Sequence, residues 1–372
     1  MASVSDQVKR VLIYRLGSLG DTVVALPCLH LIARAFPNAE RRMLTNIPVN
    51  AKAPMPALVL GESGLVHSYM SYPLGLRQIA ALCQLSTAIK RWQPDVLVYL
   101  AEPRSAKAII RDVSFFRISG VKKVVGIPWR KGDRLPRPIG ETGRYELEAT
   151  RLARCISPLG HAAVDDPASW DLRLGANERE QVNRFLHSWP ARTRFFACGV
   201  GTKVEVNDWG VEKWRRLLSL VGRGQPNVGL LLVGAREEAA VSSQAAADWQ
   251  GPVLNLCGVT SPRETAGLLQ EAEIYLGHDS GPMHLAAAVG TPCVAVFSAR
   301  NLPGVWFPCG SGHRVIYHRV PCAGCGLERC LRYAKTCINS ITVEEVYAAV
   351  SATLSEARAG NVQNSSSEAS TL

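Results

Sequence analysis

The chain has 372 residues, a formal net charge of +11 and eleven cysteines. Its length exceeds one typical compact domain, so two domains are expected, each with its own core. No apolar run approaches the roughly 20 residues that a membrane-spanning helix needs, and the first residues lack the apolar stretch of a secretion signal. Many cysteines without an export signal favour a reducing compartment. We therefore expect a cytoplasmic protein.

The positive charge predicts anionic partners. Basic residues are spread over both halves of the sequence, and no nucleic-acid-binding motif is present. This distribution favours phosphorylated ligands or an anionic membrane surface as partners, and no nucleic acid.

The first strong pattern is "RLGSLGDTVVALP" at residues 15–27. The apolar run before it predicts a buried strand, and the apolar spacing of residues 22–36 predicts one helix. Asp21 then lies near the start of that helix. Two roles are open for it. It is either an N-cap that accepts backbone N–H bonds, or a reactive carboxylate at the carboxyl end of a parallel strand, where open α/β sheets bind ligands.

Strand-like and helix-like segments alternate along the rest of the chain. In the first half the predicted strands are 41–46, 95–100 and 122–127, and the predicted helices are 75–92, 105–120 and 145–160, with a Pro- and Arg-rich loop at 128–140. After a charged junction at 164–180, strands are predicted at 194–201, 227–234, 252–258, 272–280 and 292–298, with helices at 211–223, 237–249 and 262–271. Such alternation is typical of doubly wound parallel sheets. We predict two α/β domains, 1–175 and 176–358, followed by a disordered polar tail, 359–372.

The glycines of the first turn do not match the common nucleotide-binding fingerprints. Gly17 and Gly20 are spaced G-x-x-G, and the second strand ends in Thr45 and Asn46 where a dinucleotide site needs an acidic residue. The sequence also contains no P-loop motif. Hydride transfer and P-loop chemistry are therefore disfavoured.

A second strand–turn–helix pattern occurs in "LGHDSGPMHLAAAVGTP" at residues 276–292. Asp279, Ser280 and Gly281 lie at the predicted start of a helix, where unpaired N–H groups favour a phosphate. His284 follows Ser280 by four residues, so both side chains lie on one face. The alternative is that Asp279 only caps the helix and His284 only packs.

Taken together, "RLGSLGDTVVALP" and "GHDSGPMHLAAAVGTPCVAVF" resemble the bacterial heptosyltransferases of glycosyltransferase family 9, and the resemblance spans about residues 9–350. It implies the GT-B architecture, two Rossmann-like domains facing across a cleft, with the acceptor in the first and the nucleotide-sugar in the second. It further implies inverting transfer of a heptose from ADP-heptose to a lipopolysaccharide core or another anionic glycan or lipid-linked acceptor, with peripheral contact at the inner membrane surface.

The resemblance also implies roles for individual residues. Asp21 matches the general base. The donor-binding positions are Thr202, Lys203, Glu237, Asp279, Ser280, Gly281 and His284. Gly17 and Ser18 are the acceptor-binding positions of the first turn. For Arg130, Lys131 and Arg134 of the basic loop two roles are open, either an ordinary solvated loop or, in this fold, contact with anionic groups of the acceptor. The family often has a lysine two residues before the tryptophan of the 201–218 segment, where this sequence has Asn207. Lys203 is expected to supply the cation instead.

The chemistry of inverting transfer fits this set of residues. One base takes the acceptor proton, and backbone N–H groups with Lys203 stabilise the leaving diphosphate. The sequence has no D-x-D pair, so neither a metal nor a cofactor is expected. Two alternatives remain open, namely a nucleotide-sugar 2-epimerase of similar fold and a protein that binds nucleotide-sugars without catalysis.

The cysteines near the end of the chain form a C-x2-C-x4-C-x6-C pattern at Cys322, Cys325, Cys330 and Cys337. The first pair has the spacing of zinc ligands. The family shares this spacing and is not generally regarded as zinc-dependent. A structural zinc site, packed thiols and redox pairing are all open.

Overall fold

The structure is a computed structural model that describes residues 7–47, 54–73, 79–187, 189 and 193–369, with the backbone alone from 359 onward. The chain divides into two compact units, Met1–Arg173 (unit 1) and Leu174–Leu372 (unit 2). The sequence analysis places the boundary after residue 175.

Unit 1 contains a parallel sheet in the order β3-β2-β1-β4-β5. Its strands are β1 (Arg10–Tyr14), β2 (Glu40–Asn46), β3 (Ser68–Tyr72), β4 (Val96–Tyr99) and β5 (Val124–Val125). The chain adds β2 and β3 on one side of β1 and then β4 and β5 on the other side. The strand order therefore reverses between β1 and β4, the place where doubly wound sheets bind ligands.

The helices of unit 1 connect these strands. They are α1 (Leu19–Val24), α2 (Leu26–Ala35), α3 (Pro56–Leu60), α4 (Ile79–Trp92), α5 (Ala106–Ile118), α6 (Lys131–Arg134) and α7 (Glu148–Cys155). A small antiparallel hairpin, β6 (Pro138–Ile139) and β7 (Arg144–Tyr145), lies within the segment 138–145. Residues 75–78 of the helix predicted at 75–92 lie outside the described residues.

The single helix predicted after the first turn is two helices in the structure. The first ends at Val24 and the second begins at Leu26. Pro27 lies in the first turn of α2, has no N–H to donate to the carbonyl of Val23, and clashes with a continuing helix. The proline therefore separates a short helix that carries Asp21 from a longer, buried one.

Unit 2 repeats the same winding with six parallel strands in the order β10-β9-β8-β11-β12-β13. The strands are β8 (Phe195–Gly199), β9 (Gly229–Leu232), β10 (Val253–Asn255), β11 (Tyr275–His278), β12 (Cys293–Phe297) and β13 (Arg314–Tyr317). The reversal lies between β8 and β11. The central strands are buried along their whole length, as expected for a parallel sheet covered on both faces.

The helices of unit 2 are α8 (Ala176–His187), α9 (Val211–Gly224), α10 (Ala239–Ala245), α11 (Pro262–Gln270), α12 (Gly281–Ala288), α13 (Thr336–Asn339) and α14 (Val343–Ala369). The backbone of α14 continues through most of the segment predicted as a tail, which contains no proline to end a helix. Within the described ranges, no helix is both long and apolar enough to cross a membrane.

Candidate functional site

The turn after β1 holds the Asp21 carboxylate against the chain. Asp21 Oδ2 accepts hydrogen bonds from the backbone N–H of Ser18 at 2.7 Å and from its hydroxyl at 3.0 Å. A Cβ on Gly17, whose φ is +134°, would lie 2.4 Å from Asp21 Cγ. Only glycine permits this approach.

The structure corrects one of the two roles considered for Asp21. The N-cap of α1 is Ser18, and Asp21 is the third residue of the helix, where its carboxylate completes a capping box. A side chain in that position contributes to the start of the helix and still keeps one carboxylate oxygen for other partners.

A buried arginine supports the Asp21 turn. Arg15 is 1% exposed and donates to the carbonyl of Asp21 at 2.7 and 3.1 Å. Its remaining terminal nitrogen, Nη1, donates to the carbonyl of Leu100, just after β4, at 3.0 Å. Arg15 Nη2 also lies 3.7 Å from Asp21 Oδ1. One guanidinium therefore joins the ends of the two strands at the reversal of unit 1.

These contacts determine the charge of Asp21. Burial raises the pKa of this carboxyl, but the Arg15 guanidinium, a hydrogen bond with the side chain of Glu102 and the two hydrogen bonds from Ser18 outweigh burial and hold it below its usual value. Asp21 is therefore a carboxylate at neutral pH, the state that a general base requires. The sequence analysis did not identify Glu102, which follows β4.

The remaining predicted acceptor residues lie on and next to α6. Arg130 and Lys131 are exposed and Arg134 is half-buried. Two other residues of this segment are already engaged, since the Asp133 carboxylate pairs with Arg154 at 2.9 Å and lies 3.5 Å from Arg137.

In unit 2 the loop after β8 contains Thr202 and Lys203. Thr202 folds back on the loop, because its hydroxyl donates to the carbonyl of Val204 and accepts from the Val204 N–H, both at 3.3 Å. Lys203 is exposed. The loop thus presents a cation beside the reversal of this sheet.

The turn after β11 brings together the other predicted donor residues. Ser280 is the N-cap of α12 and Gly281 is its first residue, so the unpaired N–H groups of the helix start there. His284 Nε2 lies 4.0 Å from Asp279 Oδ1, and the Asn301 amide donates to Asp279 Oδ2 at 3.3 Å. The structure therefore places Asp279, Ser280, Gly281 and His284 around one helix start.

Neutral buried groups support this turn. The Asn207 amide donates to the carbonyl of Asp279 at 3.3 Å, and its oxygen accepts from the Ser298 hydroxyl at 2.5 Å. Asn207 thus joins the loop after β8 to the ends of β11 and β12. Asn207, which stands where the family often has a lysine, therefore has a structural role in this chain.

His278, the last residue of β11, is fully buried. Its Nε2 accepts hydrogen bonds from the Trp209 N–H at 3.1 Å and from the Trp214 indole at 3.0 Å. Burial lowers the pKa of His278 to about 4, so the ring is neutral at physiological pH and serves as an acceptor.

The carboxylate predicted at Glu237 has a neighbour in a more enclosed position. Glu237 is exposed. Glu238 instead accepts from the N–H of Ala235 at 2.8 Å, and a Cβ on Gly201 would lie 2.0 Å from its carboxyl carbon. Glu238 therefore lies against the loop after β8. The two glutamates are adjacent in the sequence "REE", so sequence alone does not show which of them is enclosed.

Comparison with known proteins identifies the family of this chain. The family model "Glycosyltransferase family 9 (heptosyltransferase)" matches residues 161–332. Lipopolysaccharide heptosyltransferase 3 of Escherichia coli K12 is 33% identical over 290 residues, which are 76% of this chain and 80% of that protein. The chain belongs to glycosyltransferase family 9.

Solved structures confirm the fold class of this family 9 glycosyltransferase. A family 9 glycosyl transferase from Veillonella parvula aligns with a TM-score of 0.70 at 16% identity, over 94% of this chain and 98% of that one. Heptosyltransferase WaaC of E. coli, solved with ADP, aligns with a TM-score of 0.60 at 17% identity, over 92% and 99%. The predicted GT-B fold class, with two Rossmann-like domains, is therefore confirmed.

The cysteine segment of the glycosyltransferase lies close to the strand-end loops of unit 2. The N–H of Gly324 donates to the carbonyl of Ala299 and that of Gly326 to Arg300, both at 2.8 Å. The four cysteines are free. Across the described part of the chain, no three His, Cys, Asp or Glu side chains form a group able to hold a metal ion.

Proposed function

We propose that this glycosyltransferase moves a heptose from ADP-heptose to a lipopolysaccharide-core or other anionic glycan or lipid-linked acceptor, with inversion at the anomeric carbon and without a metal. The observation that carries the proposal is the Asp21 carboxylate, kept ionised by Arg15 and Ser18 at the reversal of a doubly wound sheet. A base in that place takes the proton of an acceptor hydroxyl as the oxygen attacks.

The donor assignment rests on the second strand-end site. The backbone N–H groups at the start of α12, where Asp279, Ser280 and His284 lie, and the Lys203 ammonium in the loop after β8 are suited to a diphosphate. WaaC has been solved with ADP and with ADP-2-deoxy-2-fluoro heptose, and the 33% identical relative is named as a lipopolysaccharide heptosyltransferase. These names support ADP-heptose as the donor.

A transfer assay tests this proposal and separates it from its alternatives. ADP release from ADP-heptose should depend on a core acceptor and should persist in a chelator. The heptose on the acceptor should show the inverted anomeric configuration by NMR. Conversion of the sugar without acceptor would instead indicate an epimerase. Binding of ADP-heptose with neither reaction would indicate a binding protein.

The ribose contact of the donor is tested by a pair of variants. The resemblance assigns it to Glu237, whereas Glu238 is the more enclosed carboxylate. Calorimetry of E237Q and E238Q gives the ADP dissociation constant of each variant for comparison with the wild type. A carboxylate that accepts two ribose hydroxyls is worth about 1.5–3 kcal/mol, so the variant that loses affinity roughly tenfold or more identifies the residue. Wild-type affinity in both variants would remove the ribose contact from this turn.

The α6 segment supplies the proposed contact with an anionic membrane surface. Trp129, Leu135 and Ile139 are 57%, 49% and 50% exposed, and the exposed cations Arg130 and Lys131 directly follow Trp129 in the same segment. Exposed apolar side chains among cations are typical of surfaces that lie on anionic lipids. We infer that the protein acts in the cytoplasm at the inner membrane face, where the same cations meet a lipid-linked acceptor.

Vesicle sedimentation tests the membrane contact. The wild-type chain should sediment with vesicles of phosphatidylglycerol in low salt, and W129S/K131S should lose most of that binding. Equal sedimentation of the variant, or equal binding to vesicles of neutral phosphatidylcholine, would contradict this role for the segment.

A further inference from the structure

The backbone that precedes Glu102 is held by two buried arginines. Arg15 donates to the carbonyl of Leu100 at 3.0 Å, and Arg151 donates to the carbonyl of Ala101 at 2.7 Å. Each of these guanidinium side chains is 1% exposed. A buried guanidinium needs its acceptors, because few others are available in the interior. The start of the loop after β4 is therefore fixed, and with it the position of Glu102.

The same arrangement brings Glu102 to Asp21. β1 and β4 are adjacent, with Tyr14 opposite Tyr99, so the turns that follow these strands are neighbours. Arg15 bonds to the carbonyl of Asp21 as well as to Leu100, which ties the two turns together. The side chains of Asp21 and Glu102 share a hydrogen bond. Two carboxyl groups can share one only when a proton lies between them.

The charges around the pair decide which carboxyl holds that proton. Burial of its carboxyl and the negative charge of Asp21 raise the pKa of Glu102 to about 7. Arg15 and the Glu148 carboxylate of α7 also act on Glu102, and Glu148 is paired with Arg151 at 2.6 Å. Asp21 has two Ser18 donors that Glu102 lacks, so the negative charge resides on Asp21 and the proton on Glu102.

We propose that Glu102 is a positioning residue that sets the proton affinity of Asp21 in the transfer step. When protonated, Glu102 donates a hydrogen bond to the Asp21 carboxylate, orients it and lowers its affinity for a further proton. When ionised, Glu102 adds a second negative charge beside Asp21 and increases that affinity. This inference rests on the proposed role of Asp21 as the base.

The proton balance of the step follows from this pairing. The acceptor O–H bond breaks as the new bond from oxygen to the anomeric carbon forms, and the proton passes to Asp21. The bond between the anomeric carbon and the leaving diphosphate breaks, and its electrons stay on the diphosphate. With Glu102 ionised beforehand, the pair holds the one transferred proton. Although its carboxyl group is desolvated beside Asp21, the residue Glu102 keeps part of its surface in contact with water, so this proton returns to water from its side.

The test compares the wild-type chain with E102Q across pH. The glutamine has nearly the same shape and can donate to Asp21, but it does not titrate. Because the pKa of Glu102 is raised, the group loses its proton only as pH rises through about 7. Wild-type kcat/KM should therefore rise through that pH, whereas E102Q should lack this rise and be roughly tenfold slower at about pH 8.5. E102D carries a carboxyl that titrates, so it should restore a rise of kcat/KM with pH.

Melting temperature supplies a readout that does not depend on catalysis. A carboxyl whose pKa is raised on folding stabilises the fold less as pH rises through its native pKa. The wild-type melting temperature should thus fall relative to E102Q between about pH 5 and about pH 8.5. E62Q is the matched control, since Glu62 is exposed and lies before β3, at the opposite edge of the sheet. It should follow the wild type.

The outcomes separate this inference from the proposed function. A wild-type chain without transfer activity would contradict the proposed function, while the melting temperatures would still test the pairing. Transfer activity with parallel pH–rate profiles in wild type and E102Q, or parallel melting curves across pH, would overturn the role of Glu102 alone. If E102Q does not fold, E102D is used instead. Because aspartate has a lower intrinsic pKa than glutamate, the pH-dependent change in kcat/KM and in melting temperature should move to a different pH. An unchanged pH in both assays would overturn the role of Glu102.

Discussion

The two units end their central strands with different chemistry. In unit 1 the ends of β1 and β4 are joined by ionised groups. Arg15 donates to the carbonyls of Asp21 and Leu100, and Arg151, which is paired with Glu148, donates to the carbonyl of Ala101. In unit 2 the ends of β8 and β11 are joined by neutral groups, including the buried His278 and the Asn207 amide.

The difference corresponds to two kinds of work. A base needs a carboxylate of defined protonation, and fixed countercharges provide it. A diphosphate site needs N–H groups and cations, so its support is best built from neutral hydrogen bonds that add no competing charge. In the proposed function, similar doubly wound sheets therefore position the proton acceptor in one unit and the anion site in the other.

The largest expected effect on stability follows from removing a charge in unit 1. R151M leaves the Glu148 carboxylate, which is 0% exposed, without its partner. Breaking a buried pair in this way costs about 3–5 kcal/mol, measured as the free energy of unfolding in urea. The matched control is R184M in unit 2, because Arg184 and Glu180 are 63% and 62% exposed, and an exposed pair contributes about 0–1 kcal/mol. Equal losses in both variants would contradict the contrast between the units.

The next effect concerns nucleotide binding. H284A and K203A each remove a partner of a charged diphosphate, worth about 1.5–3 kcal/mol, so the ADP dissociation constant should rise roughly tenfold to a hundredfold in calorimetry. K131A, an exposed lysine of unit 1, should leave ADP affinity at the wild-type value. Unchanged affinity in H284A and K203A would place the donor elsewhere.

The smallest effect is expected at the cysteines. The segment contacts the loop after β12 through backbone groups of Gly324 and Gly326, and Asn301 of that loop donates to Asp279 of the proposed donor site. Replacing Cys322 and Cys325 by serine leaves those bonds in place. The double variant should melt at a slightly lower temperature and keep turnover near wild type. Loss of turnover at unchanged melting temperature would give the thiols a catalytic role, and metal analysis decides the zinc question.

Much of the fold was predictable because buried parallel strands are apolar along their length. The strands at the two reversals, β1, β4, β8 and β11, all fall within predicted segments. The edge strands β3 and β13 were missed. β3 is largely half-exposed with the sequence "SYMSY", and an edge strand buried on one side has a weaker apolar pattern.

Residues of the candidate site were predictable only where they lie in a sequence motif. Asp21 and Asp279 lie in recognisable strand–turn–helix patterns. Glu102 lies in "AEP", which has no motif, and its contact with Asp21 depends on β4 being the neighbour of β1. The available signal was an acidic residue directly after a predicted strand, which becomes informative once the strand order is known.

The most direct test of Asp21 as the base uses D21N. The amide keeps nearly the same shape and its oxygen can still accept the Ser18 N–H, while Arg15 keeps its carbonyl acceptors. The melting temperature should therefore fall by no more than a few degrees. The ADP dissociation constant should stay at the wild-type value, because the proposed donor site belongs to unit 2.

Turnover of D21N should fall by at least about a hundredfold, because an amide cannot take the acceptor proton. D166N is the matched control, since Asp166 is an exposed cap that accepts the Ala168 N–H at 3.0 Å and asparagine caps equally well. It should match the wild type in all three measurements. A folded, ADP-binding D21N enzyme that retains wild-type turnover would show that Asp21 only caps its helix and is not the base.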